Sequence, residues 1–306
     1  MVTTTELLTV PDDARRRARR SNRSPLEPGK SVGMTLVMSL LLIYSLFPLV
    51  WLFINATKTQ QDFMTTPGLA FGSSFALFDN IAETFAFNDG EFMRWMINTL
   101  FYVVMGSGGA TIIATLAGYG LAHFSFPGRR LAVAIVIGAI AIPGTALAVP
   151  IFILFSQWGL TNNPWGVVIA SLLNPFGLFL IWAFASSAIP RELIEAGRID
   201  GAGELRIFFQ IAFRLIVPGF ITVLLFNVVS GWNNYFMPLI LLNRSDLFPL
   251  PVGLAVWNAQ NANAAEQSVY HLVITGAFIT LVPIIILFLF MQRYWQSGLS
   301  AGSVKV

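Results

Sequence analysis

Six apolar runs dominate this chain, and each is long enough to cross a lipid bilayer. A membrane-crossing helix needs about 20 residues, and a chain that is 56% hydrophobic and 11% charged supplies such runs repeatedly. No Asp, Glu, Lys or Arg falls within any run, as expected because a charge at the centre of a membrane helix costs about 2.5–3.5 kcal/mol. The sequence therefore predicts an all-α integral membrane protein with six transmembrane helices. The runs are Met34–Thr57, Trp95–Ala122, Leu131–Gln157, Pro164–Ser186, Leu215–Leu242 and Val269–Gln292.

The basic residues are distributed unequally between the two predicted sides of the membrane. Only Lys58, Arg94 and Arg244 lie in one set of alternate connections, and the other 15 lysines and arginines lie in the remaining connections and the termini. Cytoplasmic loops carry an excess of basic residues, so both termini are predicted to be cytoplasmic. Residues 1–33 would form a basic tail that sets topology and contacts anionic headgroups rather than nucleic acid, and residues 34–306 would form the transmembrane domain.

The chain offers no pattern of residues for catalysis or metal binding. It has no cysteine, and His123 and His271 lie near span ends without the spacing of a metal site. No serine inside a span has a suitable base, so no catalytic residue, cofactor or metal is expected. The spans also lack the Asp, Glu, Lys or Arg that ion-coupled carriers place at membrane depth. Uphill transport would therefore draw its energy from outside this chain, through a cytoplasmic surface.

A charged segment, Ile189–Pro218, separates the fourth and fifth apolar runs. It holds four arginines and four carboxylates. Pro190 suits the first turn of a helix, where its missing N–H is no loss, and Glu192 and Glu195 then lie near the positive end of the helix dipole. The segment predicts a short cytoplasmic helix with one of two roles: a contact for another protein, or an ordinary amphipathic helix in the membrane interface.

The spacing within this helix indicates close packing. Leu193, Ala196 and Gly197 recur at i, i+3 and i+4 and are predicted to form one face. Gly197 and Gly201 are four residues apart and would leave a strip free of side chains. Glycine in a helix interior costs about 0.5–1 kcal/mol relative to alanine, so two of them at this spacing suggest that another surface closes against the strip.

Several stretches resemble, in the right order, the permease subunits of binding-protein-dependent ABC importers. Glu195–Gly201 reads E-A-G-R-I-D-G and, with Ile211 ten residues further on, resembles the cytoplasmic "EAA" loop of these subunits. The surroundings resemble the carbohydrate importers related to the smaller permease of the maltose system, over roughly residues 34–306. The stretches that carry this likeness are Ala117–Arg130, Ile189–Leu193, Trp232–Leu239 and Gln292–Lys305.

The chain departs from this family pattern at two points. Gly197 occupies the third position of the EAA triplet, where the family has alanine. Phe213 and Arg214 stand where the family usually shows leucine and proline. These departures leave open where the loop ends and where the fifth span begins.

The resemblance implies a type I ABC importer permease fold, with a short coupling helix at residues 190–205 between helices four and five. It implies three partners in a bacterial cytoplasmic membrane: a second homologous permease, a cytoplasmic ATPase dimer that holds ATP and Mg²⁺, and an extracytoplasmic sugar-binding protein. The chain itself would be no enzyme. The solute would be a di- or oligosaccharide, and sugar phosphoglycerol compounds and polyols are the alternatives. The Gln292–Lys305 stretch would also reach the ATPase pair. The residues expected to couple to the ATPase are Glu195, Ala196, Gly197, Asp200 and Gly201.

The solute path is predicted from the fifth run, which mixes amides and a hydroxyl with aromatic rings that can stack on a sugar. Amides in membrane helices also join helices to one another, and the sequence leaves that role open. Asp62–Glu91, with five acidic residues, and Asn243–Gln267 are candidates for contact with the binding protein. The candidate path residues are Asn227, Ser230, Trp232, Asn233, Asn234 and Tyr235.

A self-sufficient secondary transporter or channel for a polar solute is the alternative function. In that case Ile189–Pro218 would be an interfacial helix without a protein partner. The absence of charge inside the spans and of an inverted internal repeat argues against this alternative.

Overall fold

The described part of the chain folds into helices joined by turns and short loops. This computed structural model describes the backbone of residues 32–261 and 269–301 and the side chains of residues 32–260 and 269–292. The predicted basic tail and most side chains of Gln292–Lys305 lie outside those residues. The helices are α1 Val32–Ala56, α2 Gln60–Thr65, α3 Leu77–Tyr102, α4 Gly108–His123, α5 Arg129–Ile140, α6 Ala148–Gln157, α7 Pro164–Leu172, α8 Pro175–Ala188, α9 Arg191–Ile199, α10 Glu204–Ile207, α11 Phe213–Trp232, α12 Phe236–Leu241, α13 Leu250–Asn261 and α14 Tyr270–Ala301.

Short irregular turns join several of these helices. A π-helical turn at Val103–Ser107 links α3 to α4, and a second at Phe208–Ala212 links α10 to α11. Short 3₁₀ turns occur at Gly144–Leu147 and Ser245–Leu247. The chain divides into two compact units, one up to Trp51 and one from Leu52 onward; the sites described below all lie in the second unit.

Five helical stretches among the described residues are long and apolar enough to cross a membrane. A sixth would be formed if α5 and the helical stretch Gly144–Gln157 count as one span, but these two are bent by 98°. The five stretches are Val32–Ala56, Leu77–His123, Pro164–Ala188, Glu204–Trp232 and Tyr270–Gln292.

The third predicted run, Leu131–Gln157, is not one continuous helix, because it contains a sharp bend that the sequence analysis did not predict. Pro143 has extended backbone, with φ −59° and ψ 126°, and the residue before a proline is also disfavoured in the α region. The helix α5 therefore ends at Ile140, and the chain turns sharply before α6 begins.

The fifth predicted run, Leu215–Leu242, is wrong at both ends. The helical stretch begins at Glu204 and continues through Arg214 before it enters the apolar run. It stops at Trp232, and α12 is a separate six-residue helix beyond the break. Apolar composition alone placed the helix too late, because a helix can extend beyond the membrane into polar residues.

The described residues of the compact unit from Leu52 onward form two apolar clusters. The first surrounds Trp95 and Trp257, whose ring centroids are 4.8 Å apart. The second joins α4 and α8 to the segment that includes α9 and α10, and it contains Tyr119, Ile194 and Ile216. Membrane helices associate mainly through close van der Waals packing, and the second cluster lies directly behind the predicted coupling helix.

Candidate functional site

The first candidate site is the elbow, which we define as residues 190–207. Ile189 has extended backbone before Pro190, so α8 ends at Ala188 and the chain changes direction. Pro190 immediately precedes α9 as its N-cap residue, one position before the first turn in which the sequence analysis placed it. The helix α9 ends at Ile199, so the predicted coupling helix at residues 190–205 is in fact one nine-residue helix followed by a turn.

One face of α9 is anchored to the chain itself. Ile194 is only 3% exposed, and Gly197 is also buried. A Cβ atom added to Gly197 would lie 3.2 Å from Ile207 Cγ1 and 3.3 Å from Ile211 Cδ1, so this glycine permits close approach between α9 and the following helical stretch. The predicted partner surface at Gly197 is therefore occupied by the same chain.

Gly201 ends the helix, and the prediction of a side-chain-free strip within the helix is wrong. Its φ is +75°, a left-handed conformation that glycine adopts without steric cost. Gly201 N donates to Arg198 O and Ala202 N donates to Gly197 O, both at 3.0 Å. These two bonds form a Schellman motif, which satisfies carbonyl groups at the helix end. Arg198 Nε also donates to Glu204 Oε1 at 2.7 Å across the turn.

The opposite face of α9 is left open. Glu195, Ala196 and Asp200 are exposed, and Leu193 and Ile199 are 43% and 86% exposed. The predicted face of Leu193, Ala196 and Gly197 is thus wrong in phase, because Ile194 and Gly197 form the buried pair. Ile199 was not predicted, although an isoleucine between Arg198 and Asp200 was a signal of an apolar side chain without a place in the core.

The second candidate site is the polar cavity, an opening of about 290 Å³ between α4, the α7–α8 junction and α11. Three of the predicted path residues, Asn227, Ser230 and Asn234, line it together. Every side chain in its wall is uncharged. The remaining wall consists of Ser107, Ala110, Ala170, Ser171, Leu173, Asn174, Gly231 and Met237.

A hydrogen-bond network centred on Asn227 joins the three elements around this cavity. Asn227 Nδ2 donates to Thr111 Oγ1 at 2.9 Å, and Asn174 Nδ2 donates to Asn227 Oδ1. Ser107 Oγ donates to Asn227 O at 2.7 Å, and Gly177 N donates to Asn174 Oδ1 at 2.9 Å. The Asn227 side chain thus acts as a helix-joining amide, while Ser230 and Asn234 make no such bond to another helix among the bonds resolved here.

Asn174 was missed by the sequence reading, although a signal for it exists. It interrupts an otherwise apolar run and directly precedes Pro175, and it caps α8 through its side chain. Asn and Pro in this order are a start signal for a helix. The same order at Asn163 and Pro164 caps α7, where Asn163 Oδ1 accepts from Trp165 N at 3.0 Å.

The other predicted path residues do not reach the polar cavity. Trp232 is 6% exposed and lines a separate apolar cavity of about 370 Å³ with Val228 and Leu287 among others. Asn233 Nδ2 donates to Val229 O at 2.8 Å on its own helix, and Tyr235 is 40% exposed. Of the six predicted path residues, three line the polar cavity and the other three, Trp232, Asn233 and Tyr235, do not.

The predicted outer segments contain a buried carboxylate and several exposed ones. Asp62 is 7% exposed and accepts from Ser73 Oγ at 3.0 Å. Hydrogen bonding from the Ser73 backbone N–H, with further bonds from Thr59 and Ser73 side chains, holds the pKa of Asp62 below its usual value. Asp62 therefore serves loop structure, whereas Asp79, Glu83 and Asp89 are exposed.

The second outer segment is tied to α3 as far as the structure describes it. Trp95 Nε1 donates to Ser245 O at 2.9 Å, and Tyr102 OH donates to Leu247 O at 2.8 Å. Asn98 Nδ2 donates to Asp246 O at 2.8 Å. These bonds fix the backbone at 245–247; residues 262–267 of this predicted segment lie outside the described residues.

Comparison with protein families decides the class. A family model described as "Binding-protein-dependent transport system inner membrane component" matches residues 110–299, which include the elbow and most of the polar cavity. The chain belongs to this family. It is a multi-pass inner-membrane component, in agreement with its apolar helices.

Two relatives of this permease illustrate its similarity over almost the whole length. It is 30% identical over 276 residues to the arabinooligosaccharides transport system permease protein AraQ of Bacillus subtilis, which covers 90% of this chain and 95% of that protein. It is 31% identical over 269 residues to the lactose transport system permease protein LacG of Rhizobium radiobacter, covering 88% and 94%.

A solved structure confirms the predicted fold of the permease. A chain of a bacterial ABC transporter that imports the acidic polysaccharide alginate superposes with a TM-score of 0.73 at 21% identity, covering 95% of this chain and 100% of that chain. The predicted all-α type I ABC importer permease fold is confirmed. The resemblance stated from the sequence motifs is confirmed at the same time.

Proposed function

We propose that this chain is a transmembrane subunit of an ATP-driven importer for neutral di- or oligosaccharides. It would form the translocation path with a second, homologous permease and would couple through the elbow to a cytoplasmic ATPase dimer. ATP and Mg²⁺ would bind to the ATPase, so this chain would hold no cofactor and catalyse no reaction. An extracytoplasmic binding protein would deliver the sugar.

The main support for this proposal is that α9 has one face buried against its own chain and one face exposed. Gly197 packs against Ile207 and Ile211, which belong to the helical stretch that continues into α11, and Ile194 is buried in the same cluster as Ile207. Glu195 and Ala196 lie on the open face. A displacement applied to the open face would therefore pass into a membrane-crossing helix, which is the rigid-body movement that alternating access requires.

The assignment of sugar as solute is supported by the chemistry of the polar cavity. A neutral wall of amides and hydroxyls suits the hydroxyl groups of a sugar, whereas a charged solute would call for a compensating charge. Relatives are named for transport of arabinooligosaccharides, lactose, and melibiose, raffinose and stachyose. Ser230 and Asn234 are the side chains that we assign to the sugar.

The proposed orientation places both termini and the elbow in the cytoplasm of a bacterial cell. It is supported by the excess of arginine and lysine on that side. The exposed carboxylates Asp79, Glu83 and Asp89 would then face the binding protein on the opposite side. Their charge would favour a basic patch on that partner, and the association rate would fall with ionic strength.

Purification of the tagged chain in mild detergent, with identification of every co-eluting protein, tests the proposal. We expect a second permease, an ATPase and a sugar-binding protein to co-elute, and the reconstituted assembly to hydrolyse ATP faster with sugar-loaded binding protein. Isolation of the chain by itself as a transport-competent oligomer would show instead that it is a secondary carrier.

Ser230→Ala and Asn234→Ala test the sugar assignment separately. Both should lower sugar-stimulated uptake while leaving co-elution of the ATPase unchanged, because neither residue is near the elbow. Asn233→Ala is the matched control, since the Asn233 amide donates to Val229 O in the preceding turn and does not line the polar cavity. Equal loss of uptake in all three variants would contradict the assignment.

A further inference from the structure

A second cavity, which we call the arginine pocket, lies beside the first turn of α5 and is distinct from the elbow and the polar cavity. It is open and measures about 590 Å³. Two arginines and a tryptophan form its most distinctive wall. The lining residues are Ser125, Phe126, Gly128, Arg129, Arg130, Val133 and Trp182.

No carboxylate among the described side chains pairs with the two arginines of the arginine pocket. Arg129 Nε and Nη2 donate to Leu121 O at 2.7 Å and Ala122 O at 3.2 Å, which fixes the guanidinium at the end of α4. Arg130 is exposed, and neither arginine takes part in the ion pairs found among the described side chains. The sequence contains no Asp or Glu between Glu91 and Glu192.

The backbone adds to this positive potential. Gly128 precedes the twelve-residue helix α5 with φ +86°, and no side chain caps the first turn. The first N–H groups of a helix lack intrahelical partners and carry the positive end of the helix dipole. Together with the two guanidinium groups, they favour an anion with several oxygen acceptors, and arginine matches the oxygens of a phosphate group through paired hydrogen bonds.

An apolar slot follows the arginine pocket along the same two helices. It measures about 210 Å³ and includes Val136 and Ala139 of α5 and Leu178 of α8. Ile113 and Ala114 of α4 also line it, and it shares Ala110, Leu173 and Asn174 with the wall of the polar cavity. Val133 and Val136 are three residues apart, and Leu178 and Trp182 are four apart, so both cavities use the same helix faces. A charged end followed by an apolar end is the shape of a phospholipid, whereas a free phosphate would make no use of the slot.

We propose that the arginine pocket binds the phosphate-bearing headgroup of an anionic phospholipid, with one acyl chain in the slot between α5 and α8. Under the orientation given under Proposed function, the lipid comes from the cytoplasmic leaflet, where anionic headgroups attract basic side chains. Trp182 sits between head and chain, at the depth where tryptophan is enriched in membrane proteins.

Native mass spectrometry of the purified full-length chain in mild detergent tests this site. Phosphatidylglycerol is titrated against phosphatidylcholine of the same chain length, and inorganic phosphate is the headgroup-only competitor. Wild-type protein should retain one phosphatidylglycerol in preference to phosphatidylcholine. Excess inorganic phosphate should not displace it, because the slot contributes to binding.

Four variants locate the lipid. Arg130→Gln should weaken phosphatidylglycerol retention about fivefold, and the additional change Arg129→Gln should weaken it about fivefold further. Ala139→Phe should weaken retention by filling the slot, and α5 has no buried residue that this change would disturb. Arg214→Gln, an exposed arginine outside the pocket, should leave retention unchanged.

Several results would overturn the proposal. Equal retention of both lipids, or an equal loss with Arg214→Gln, would show only diffuse attraction to the surface charge. Displacement by inorganic phosphate would identify a free anion as the ligand. Loss of the lipid when the whole importer assembles would show that an acidic segment of a partner protein covers the pocket.

Arg130→Gln makes the test independent of folding, because Arg130 makes none of the hydrogen bonds that hold Arg129.

Discussion

The elbow takes its shape from residues close together in the sequence, whereas the polar cavity is assembled by bonds of Asn227 to residues 53 to 120 positions away. In the elbow, Gly197, Arg198 and Gly201 make their defining bonds within a few residues of themselves. In the cavity, Asn227 bonds to Thr111, 116 residues away. A locally built elbow can move as one piece, whereas the cavity changes shape whenever its three helices shift.

The two regions also differ in the forces that hold them. The elbow is fixed by apolar contact of Ile194 and Gly197, and the cavity by neutral hydrogen bonds around Asn227. A π-helical turn adjoins each region: Val103–Ser107 ends at the cavity, and Phe208–Ala212 lies behind α9. Such turns are frequent at functional sites. Under the proposed function, the elbow and the cavity lie at opposite ends of α11, which would transmit movement from the ATPase to the sugar site.

Removal of the apolar anchor of the elbow should give the largest effect on stability. Ile194→Ala should cost about 2–5 kcal/mol, because it deletes a fully packed side chain. Leu193→Ala, at the neighbouring half-exposed position, should cost less than about 1 kcal/mol. Thermal unfolding in detergent measures both; equal costs would mean that α9 is not anchored through Ile194.

Removal of the central amide of the cavity should have a smaller effect on stability and a clear effect on function. Asn227→Ala deletes two side-chain hydrogen bonds between helices, each worth about 0.6–1.7 kcal/mol in membrane proteins. We therefore expect a loss of about 1–3 kcal/mol and reduced sugar uptake. Asn233→Ala should change neither stability nor sugar uptake. An Asn227→Ala protein as stable as wild type would show that the hydrogen bonds of Asn227 do not hold these helices together.

Substitution of the glycine that ends α9 should have a smaller effect on stability, and a neighbouring glycine provides a direct control. Gly201→Ala should cost about 1–2 kcal/mol, because an L-residue is forced into left-handed backbone. Gly203→Ala should cost much less, since Gly203 has φ −69° and no atom within 4 Å of an added Cβ. Thermal unfolding of the two variants in detergent measures both losses of stability. Equal losses would contradict the Schellman motif at the end of α9.

The smallest effect is expected at the ion pair that spans the elbow. Arg198 and Glu204 are each more than 40% exposed, and exposed pairs contribute little because water and salt screen them. Arg198→Gln should shift the unfolding temperature slightly at low salt and not at all at high salt. A large shift that persists at high salt would mean that the turn depends on charge rather than on the glycine cap.

Much of the fold could be predicted from the sequence, because membrane-crossing helices consist of long apolar runs that are easy to recognise. The helices at Val32–Ala56 and Tyr270–Gln292 agree closely with the predicted runs. The bend at Pro143 and the early start at Glu204 were not predicted, because composition does not report where an apolar run is broken or where a helix extends past the membrane. The family motifs supplied the class, which the comparisons confirm.

The candidate sites were predicted unequally for the same physical reason. The elbow was located from local motifs, but the phase of α9 was misjudged, because Ile194 is buried by Ile207 and by other residues of its cluster that only the fold brings near. The cavity was recognised only on the α11 side. Ser107, Thr111 and Asn174 are distant in sequence from Asn227, so their association required the structure.

Cross-linking at α9 tests the central claim most directly, because the chain has no cysteine of its own. Ala196→Cys and Ile194→Cys would each be treated, in the assembled importer, with a reagent that joins a thiol to a lysine. The account predicts that Ala196→Cys cross-links to the ATPase and that Ile194→Cys does not, since Ile194 faces the second apolar cluster. No cross-link from Ala196→Cys, or an equal cross-link from Ile194→Cys, would contradict the claim that the open face of α9 docks on the ATPase.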